Sequence, residues 1–250
     1  MEEKKVLMDW GYMAYMEEGR GRPLVFIHGA GNRAEVWSRV MGALKGDFRV
    51  MALDLPGHGR SSCLQEDSIE GYASRVVDFL EALDLEDVVL VGHSMGGAIA
   101  IKVIPFCPRV TRGVLVGTGA TLTVNPKLLE GLREDFRASV ATMARWCFSK
   151  GASPDLVEEA REMMLQAGRE VLYRDMYACS VYSGKDDLKA IGVPTLVVCG
   201  EKDVMTPVTL SQELVENIGD ARLQVVPGAG HMVQLEAPGE LAEAVRGFLS

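Results

Sequence analysis

Hydrophobic positions along the chain fall into short runs. KVLMDW, YMAYM, LVFIHG, FRVMALD, VVLVGHS, GVLVGTG, PTLVVCG and LQVVPG are β-branched or aromatic and often end at glycine, so they predict eight strands. From LVFIHG onward most runs are separated by stretches with apolar residues at helical spacing, such as 66–84 (EDSIEGYASRVVDFLEALD) and 207–218 (PVTLSQELVENI). Alternation of this kind predicts an α/β fold: a mostly parallel eight-stranded sheet with helices on both faces. The first two runs are separated by about one turn, which suits an antiparallel edge hairpin rather than a crossover.

The rhythm breaks once. Residues 121–192 contain LLEGLREDFRASVATMARWCF, PDLVEEAREMMLQAG and REVLYRDMYACSVY, all with helical periodicity, and no strand pattern. The expected organisation is therefore a core of residues 1–120 and 193–250, with 121–192 inserted after strand six as a helical lid over the carboxyl ends of the strands.

Composition narrows the function classes. A net charge of −9 without a Lys/Arg cluster disfavours a nucleic-acid partner. The charged start MEEKKVLMDW lacks a signal peptide's apolar centre, and no long apolar run suggests a membrane span, so a cytoplasmic location is expected. Five scattered cysteines without CxxC spacing predict reduced thiols, with neither disulfide nor metal site, and no cofactor motif appears.

The stretch VVLVGHSMGGAIAI carries the chemistry. Gly92, Ser94 and Gly96 form GxSxG, which would arise by chance in roughly one chain in ten of this length. Its setting makes it informative, because a strand precedes it and a small-residue helix follows, as a nucleophile elbow requires. A serine nucleophile needs a base, and the chain has only four histidines. His28 and His58 close earlier strand ends and read as loop braces, and His93 adjoins the serine and should point away. His231, in the Gly-rich turn after the last strand, is the candidate base. Asp203, just beyond the seventh strand, is the candidate carboxylate to orient it, with Glu201 and Asp54 as competitors.

The order Ser94, Asp203, His231, each after a separate strand, resembles the α/β-hydrolase family, particularly its small lid-bearing esterases and lactonases. FIHGAG, DLPGHGRS, GHSMGG, CGEKD and GAGH stand at family-like spacings along nearly the whole chain. The resemblance implies an oxyanion hole from the backbone N–H groups of Met95 and Ala30, with Gly29 and Gly31 as alternatives to Ala30. It also implies a serine hydrolase acting on a small carboxylic ester or lactone through an acyl-serine. Serine as nucleophile, and HGAG in place of HGxP, argue against dehalogenase and epoxide hydrolase members. A carbon–carbon hydrolase or lyase, or a ligand receptor on the same scaffold, are the alternatives. Phe136, Trp146 and Met232 are candidate substrate contacts. Arg133, Arg137 and Arg145 would bind a substrate carboxylate if turned inward, although their spacing equally suits a solvated helix face.

Overall fold

The computed structural model describes residues 1–64 and 66–250. The chain begins with β1 (Glu2–Met8), β2 (Gly11–Glu18), β3 (Pro23–Ile27), α1 (Ser38–Leu44), β4 (Arg49–Leu53) and α2 (Ile69–Ala82). It continues through β5 (Val88–His93), α3 (Met95–Val103), β6 (Val110–Val116), α4 (Pro126–Glu134), α5 (Phe136–Trp146), α6 (Pro154–Ala167) and α7 (Arg169–Val181). The last elements are β7 (Thr195–Gly200), α8 (Val208–Asn217), β8 (Ala221–Val226), α9 (Val233–Glu236) and α10 (Pro238–Leu249).

All eight strands share one sheet in the order β1-β2-β4-β3-β5-β6-β7-β8. β1 and β2 form the antiparallel hairpin at one edge, and β2 also runs antiparallel to β4; the remaining pairs are parallel. The period of two divides the core. Val25, Ile27, Leu90, Leu115 and Val197 face α2, α3 and α8, whereas Leu24, Phe26, Val91, Val114 and Val198 face α1 and α10. Each fully buried aliphatic side chain contributes about 1.5 to 3 kcal/mol, so the central strands β3, β5 and β6 are a rigid mount for whatever follows them.

Between β6 and β7 lie α4 to α7 and a short 3-10 turn, Leu188–Ala190, with no strand among the described residues. The ends of this helical segment are stitched together by an isolated antiparallel bridge, Thr121 to Ser183, and by the Gly184 amide donating to the Ala120 carbonyl at 2.8 Å. The first helical run divides into α4 and α5 at Asp135, whose carboxylate caps α5 by accepting from the Ala138 amide at 3.1 Å. Inward-facing residues of α5, α6 and α7 join the same apolar cluster as β5 and β6, so these helices are packed onto the sheet.

Candidate active site

β5 delivers Ser94 to the middle of the sheet's carboxyl edge. The residue has φ 54° and ψ −117°, a region that side chains rarely occupy, because the chain must turn from strand directly into α3. Two glycines make this possible. A Cβ on Gly92 would run into the Gly96 carbonyl, and one on Gly96 would run into the carbonyls of Ile27 and His28. The turn is tied down by the Ser94 amide donating to Val116 O at 2.9 Å and by Thr118 Oγ1 donating to Ser94 O at 2.8 Å. Replacing Gly96 with alanine should cost about 3 kcal/mol through overpacking, a drop of roughly 6 to 12 °C in Tm measurable by differential scanning calorimetry. An unchanged Tm would show that the elbow has room that these contacts deny.

Asp203 and His231 come together from the loops after β7 and β8. His231 Nδ1 donates to Asp203 Oδ2 at 2.8 Å, and both side chains are buried. The same oxygen accepts from Thr206 Oγ1 at 2.7 Å, while Oδ1 accepts from the Met205 and Thr206 amides at 2.8 and 2.9 Å. Burial alone would raise the Asp203 pKa. The adjacent His231 and these hydrogen bonds outweigh it and hold the carboxyl below the usual aspartate value. With Nδ1 committed as a donor, the other ring nitrogen of neutral His231 is the basic one.

The other histidines are occupied elsewhere. His93 Nε2 donates to the His231 carbonyl at 3.0 Å, and burial, then the charge of His231, push its pKa down to about 3. His28 donates from Nδ1 to Gly29 O at 2.8 Å and accepts at Nε2 from the Leu55 amide at 3.1 Å. His58 faces Pro56 O and Asp175. The two competing carboxylates also have local duties. Asp54 accepts from the Ala34 and Arg60 amides, and Glu201 from the Gly228 amide.

Ser94 and His231 share the wall of one cavity of about 50 Å³ with Ala30. The Ala30 and Met95 amides have no acceptor among the described residues, whereas the Gly31 amide is committed to Asp175 Oδ2 at 2.8 Å. Gly31 is thereby removed as an alternative donor. Seven sulfur-bearing side chains are in the lining: Met143, Met164, Met176, Met205 and Met232 and the thiols of Cys147 and Cys179. Burial pushes the Cys147 thiol up to about 12 and raises Cys179 as well, so both remain protonated. Among the described residues, no Lys, Arg, Asp or Glu lines this cavity.

The family profile of the alpha/beta hydrolases matches residues 24–244. The chain belongs to the α/β hydrolase family. Among solved structures, this hydrolase is similar to a thermophilic esterase, with a TM-score of 0.89 and 33% identity over 99% of this chain and 97% of the other. The 2-hydroxymuconate semialdehyde hydrolase of Pseudomonas sp. (strain CF600) is 30% identical, covering 94% of this chain and 89% of its own. The dihydrolipoyllysine-residue acetyltransferase component of an acetoin cleaving system from Pseudomonas putida is also 30% identical. There the match covers 92% of this chain and 64% of the relative, so this hydrolase corresponds to part of that longer protein.

The candidate substrate contacts of this α/β hydrolase separate. Met232 lines the cavity beside His231. Trp146 does not; it is 43% exposed and borders an outer hollow that shares Thr123, Val124, Met176 and Met205 with the cavity. The reason is helical phase, since Val140, Met143, Ala144 and Cys147 form the inward stripe of α5 and Trp146 falls off it. Phe136 starts the same helix, seven residues before Met143, and packs on the apolar cluster outside the cavity lining. Arg133, Arg137 and Arg145 are all exposed. Sequence reasoning missed Thr206, whose place in DVMTP three residues after Asp203 was the available signal for a turn around that carboxylate. Of the sulfur-bearing lining it found Met232 and missed Met143, Met176, Met205, Cys147 and Cys179, which apolar periodicity cannot distinguish from core. Among the described residues, no cluster of three or more His, Cys, Asp or Glu could hold a metal ion, and no helix is long and apolar enough to cross a membrane.

Proposed function

We propose that this chain is a serine hydrolase of small, uncharged carboxylic esters or lactones, acting through an acyl-Ser94 intermediate. The observation that carries the reading is the convergence of Ser94 and the Asp203-supported His231 on one cavity with no Lys, Arg, Asp or Glu among its described lining residues. In this mechanism Ser94 Oγ attacks the carbonyl carbon while His231 Nε2 takes its proton. The oxyanion forms against the Met95 and Ala30 amides, each contributing about 3 to 4 kcal/mol to the lowering of the barrier. Nε2 then protonates the leaving alcohol, and water, deprotonated by the same nitrogen, releases the acid. Residues 121–192 act as the lid: α5, α6 and α7 supply the apolar wall that shapes the acyl site and limits water.

A carboxylate carried into this cavity would find no cation among the described lining residues, at a cost of several kcal/mol. Carbon–carbon cleavage of a dienoate, the substrate type named for several relatives, is thereby disfavoured. A panel of nitrophenyl esters, neutral lactones and carboxylate-bearing lactones of matched size tests this. The neutral compounds should have kcat/KM about 100-fold or more above the anionic ones. Equal rates would remove the neutral-substrate assignment. Faster cleavage of a vinylogous carbon–carbon substrate, without a fluorophosphonate adduct on Ser94, would favour the second reading.

A further inference from the structure

Asp175 lies on the apolar stripe of α7, between Leu172 and Cys179, and is fully buried. Three donors from three parts of the core converge on it. Oδ2 accepts from His58 Nε2 and from the Gly31 amide, both at 2.8 Å, and Oδ1 accepts from the Tyr72 hydroxyl at 2.8 Å. The other His58 nitrogen, Nδ1, lies 3.0 Å from the Pro56 carbonyl, so both ring nitrogens face acceptors and the ring is an imidazolium. Burial opposes that charge, but the Asp175 carboxylate outweighs it and His58 is raised above its ordinary value. A buried ion pair therefore joins the inserted segment to the loop after β4, with α2 and the loop after β3 bound to the same carboxylate. Neither Asp175 nor His58 has any part in the acyl-transfer steps.

Its position explains what it does. Gly29 to Asn32 form a tight turn, closed by the Asn32 amide donating to Gly29 O at 3.2 Å. The peptide before Ala30 is held by His28 Nδ1 on the Gly29 carbonyl at 2.8 Å, and because the unit is planar and trans, this aims the Ala30 N–H to the opposite side. The peptide after Ala30 is held by Asn32 Nδ2 on the Ala30 carbonyl at 3.0 Å and by Asp175 on the Gly31 amide. Gly31 has φ +64°, and a Cβ there would lie 2.7 Å from Leu172 Cδ1, so α7 presses directly on the turn.

We infer that Asp175 is a positioning residue for the oxyanion loop: by holding the Gly31 amide from α7, it fixes the Ala30 amide toward the cavity and couples lid docking to oxyanion stabilisation. The inference rests on the acyl-serine reading above. A purely structural ion pair would lower stability without separating kcat from KM.

The test compares wild type with Asp175→Asn, by kinetics on a neutral nitrophenyl ester and by NMR hydrogen exchange of the Gly31 and Ala30 amides. Asp175→Asn should lower kcat about 10- to 100-fold, since small displacements of catalytic donors have effects of that size. KM should stay within about threefold, because the lost interaction belongs to the transition state. Gly31 exchange should rise about tenfold or more as the turn opens locally. Unchanged exchange would overturn the latch whatever the kinetics, and faster exchange with unchanged kcat would overturn its role in positioning. Failure of the acyl-serine reading shows separately, as wild-type protein that takes no fluorophosphonate on Ser94, and it would take the positioning role with it. Should Asp175→Asn not fold, Tyr72→Phe removes one donor and keeps the ion pair. Its Gly31 exchange should rise about threefold, and no rise would overturn the proposal.

Discussion

Replacing Ser94 with alanine should lower turnover of a neutral ester about a millionfold while leaving the fold intact. The size follows from the arrangement: without Oγ there is no atom to form the acyl bond, and the His231 base has nothing to activate but water. The oxyanion amides and the cavity would remain, leaving a residual acceleration of about 10³ to 10⁴ over the uncatalysed reaction. Stability should hardly change, because the hydrogen bonds that fix the elbow are made by the Ser94 main chain, through its amide and its carbonyl. Alanine keeps the φ of 54° and its strain. Ser94→Gly should relieve that strain, stabilising the fold by roughly 1 kcal/mol while losing activity equally. The check is single-turnover kinetics beside calorimetry for both variants. Retention of most esterase activity in Ser94→Ala would sink the nucleophile assignment.

What the sequence made legible was whatever depends on local pattern. The alternation of aliphatic runs with helical stretches predicts the parallel sheet and its edge hairpin, because strand and helix periods differ and each crossover must cover a sheet face. Gly92 and Gly96 were readable for the same reason: a strand turning immediately into a helix needs backbone contacts that a Cβ forbids. Helix phase was harder. Trp146 looks like a substrate contact by type, yet it immediately precedes the inward Cys147, and only the docked orientation of α5 decides which of the two meets the cavity. The break at Asp135 was hidden because α4 and α5 keep compatible apolar spacing across it, leaving only the capping carboxylate as a sign. Asp175 had a sign too, a carboxylate at a core position of an amphipathic stripe. Its partners His58, Tyr72 and Gly31 come from distant parts of the chain, so no spacing could reveal what that charge meets.

Replacing Asp203 with asparagine should lower kcat about 10⁴-fold with little change in KM. The direction follows from the hydrogen bonds around this side chain. Met205 and Thr206 amides both donate to Oδ1, so asparagine must keep its carbonyl oxygen there and place its NH₂ where Oδ2 now meets His231. Two donors cannot face each other, and His231 Nδ1 must become an acceptor. The ring proton then moves to Nε2, the nitrogen that has to receive the Ser94 proton, and the base is held in the wrong tautomer. Thr206 can turn its hydroxyl to accept from the new NH₂, which preserves packing and separates the catalytic loss from unfolding. Stability should follow pH with a definite sign. The Asp203 pKa is depressed in the folded state, so its contribution is complete above the ordinary value of 3.8 and disappears as pH falls through the lower folded value. Wild type should therefore exceed Asp203→Asn in Tm at neutral pH, and the two should converge in acid. A variant with wild-type kcat would show that His231 needs no carboxylate. A kcat loss accompanied by collapse of Tm at neutral pH would assign Asp203 to folding instead.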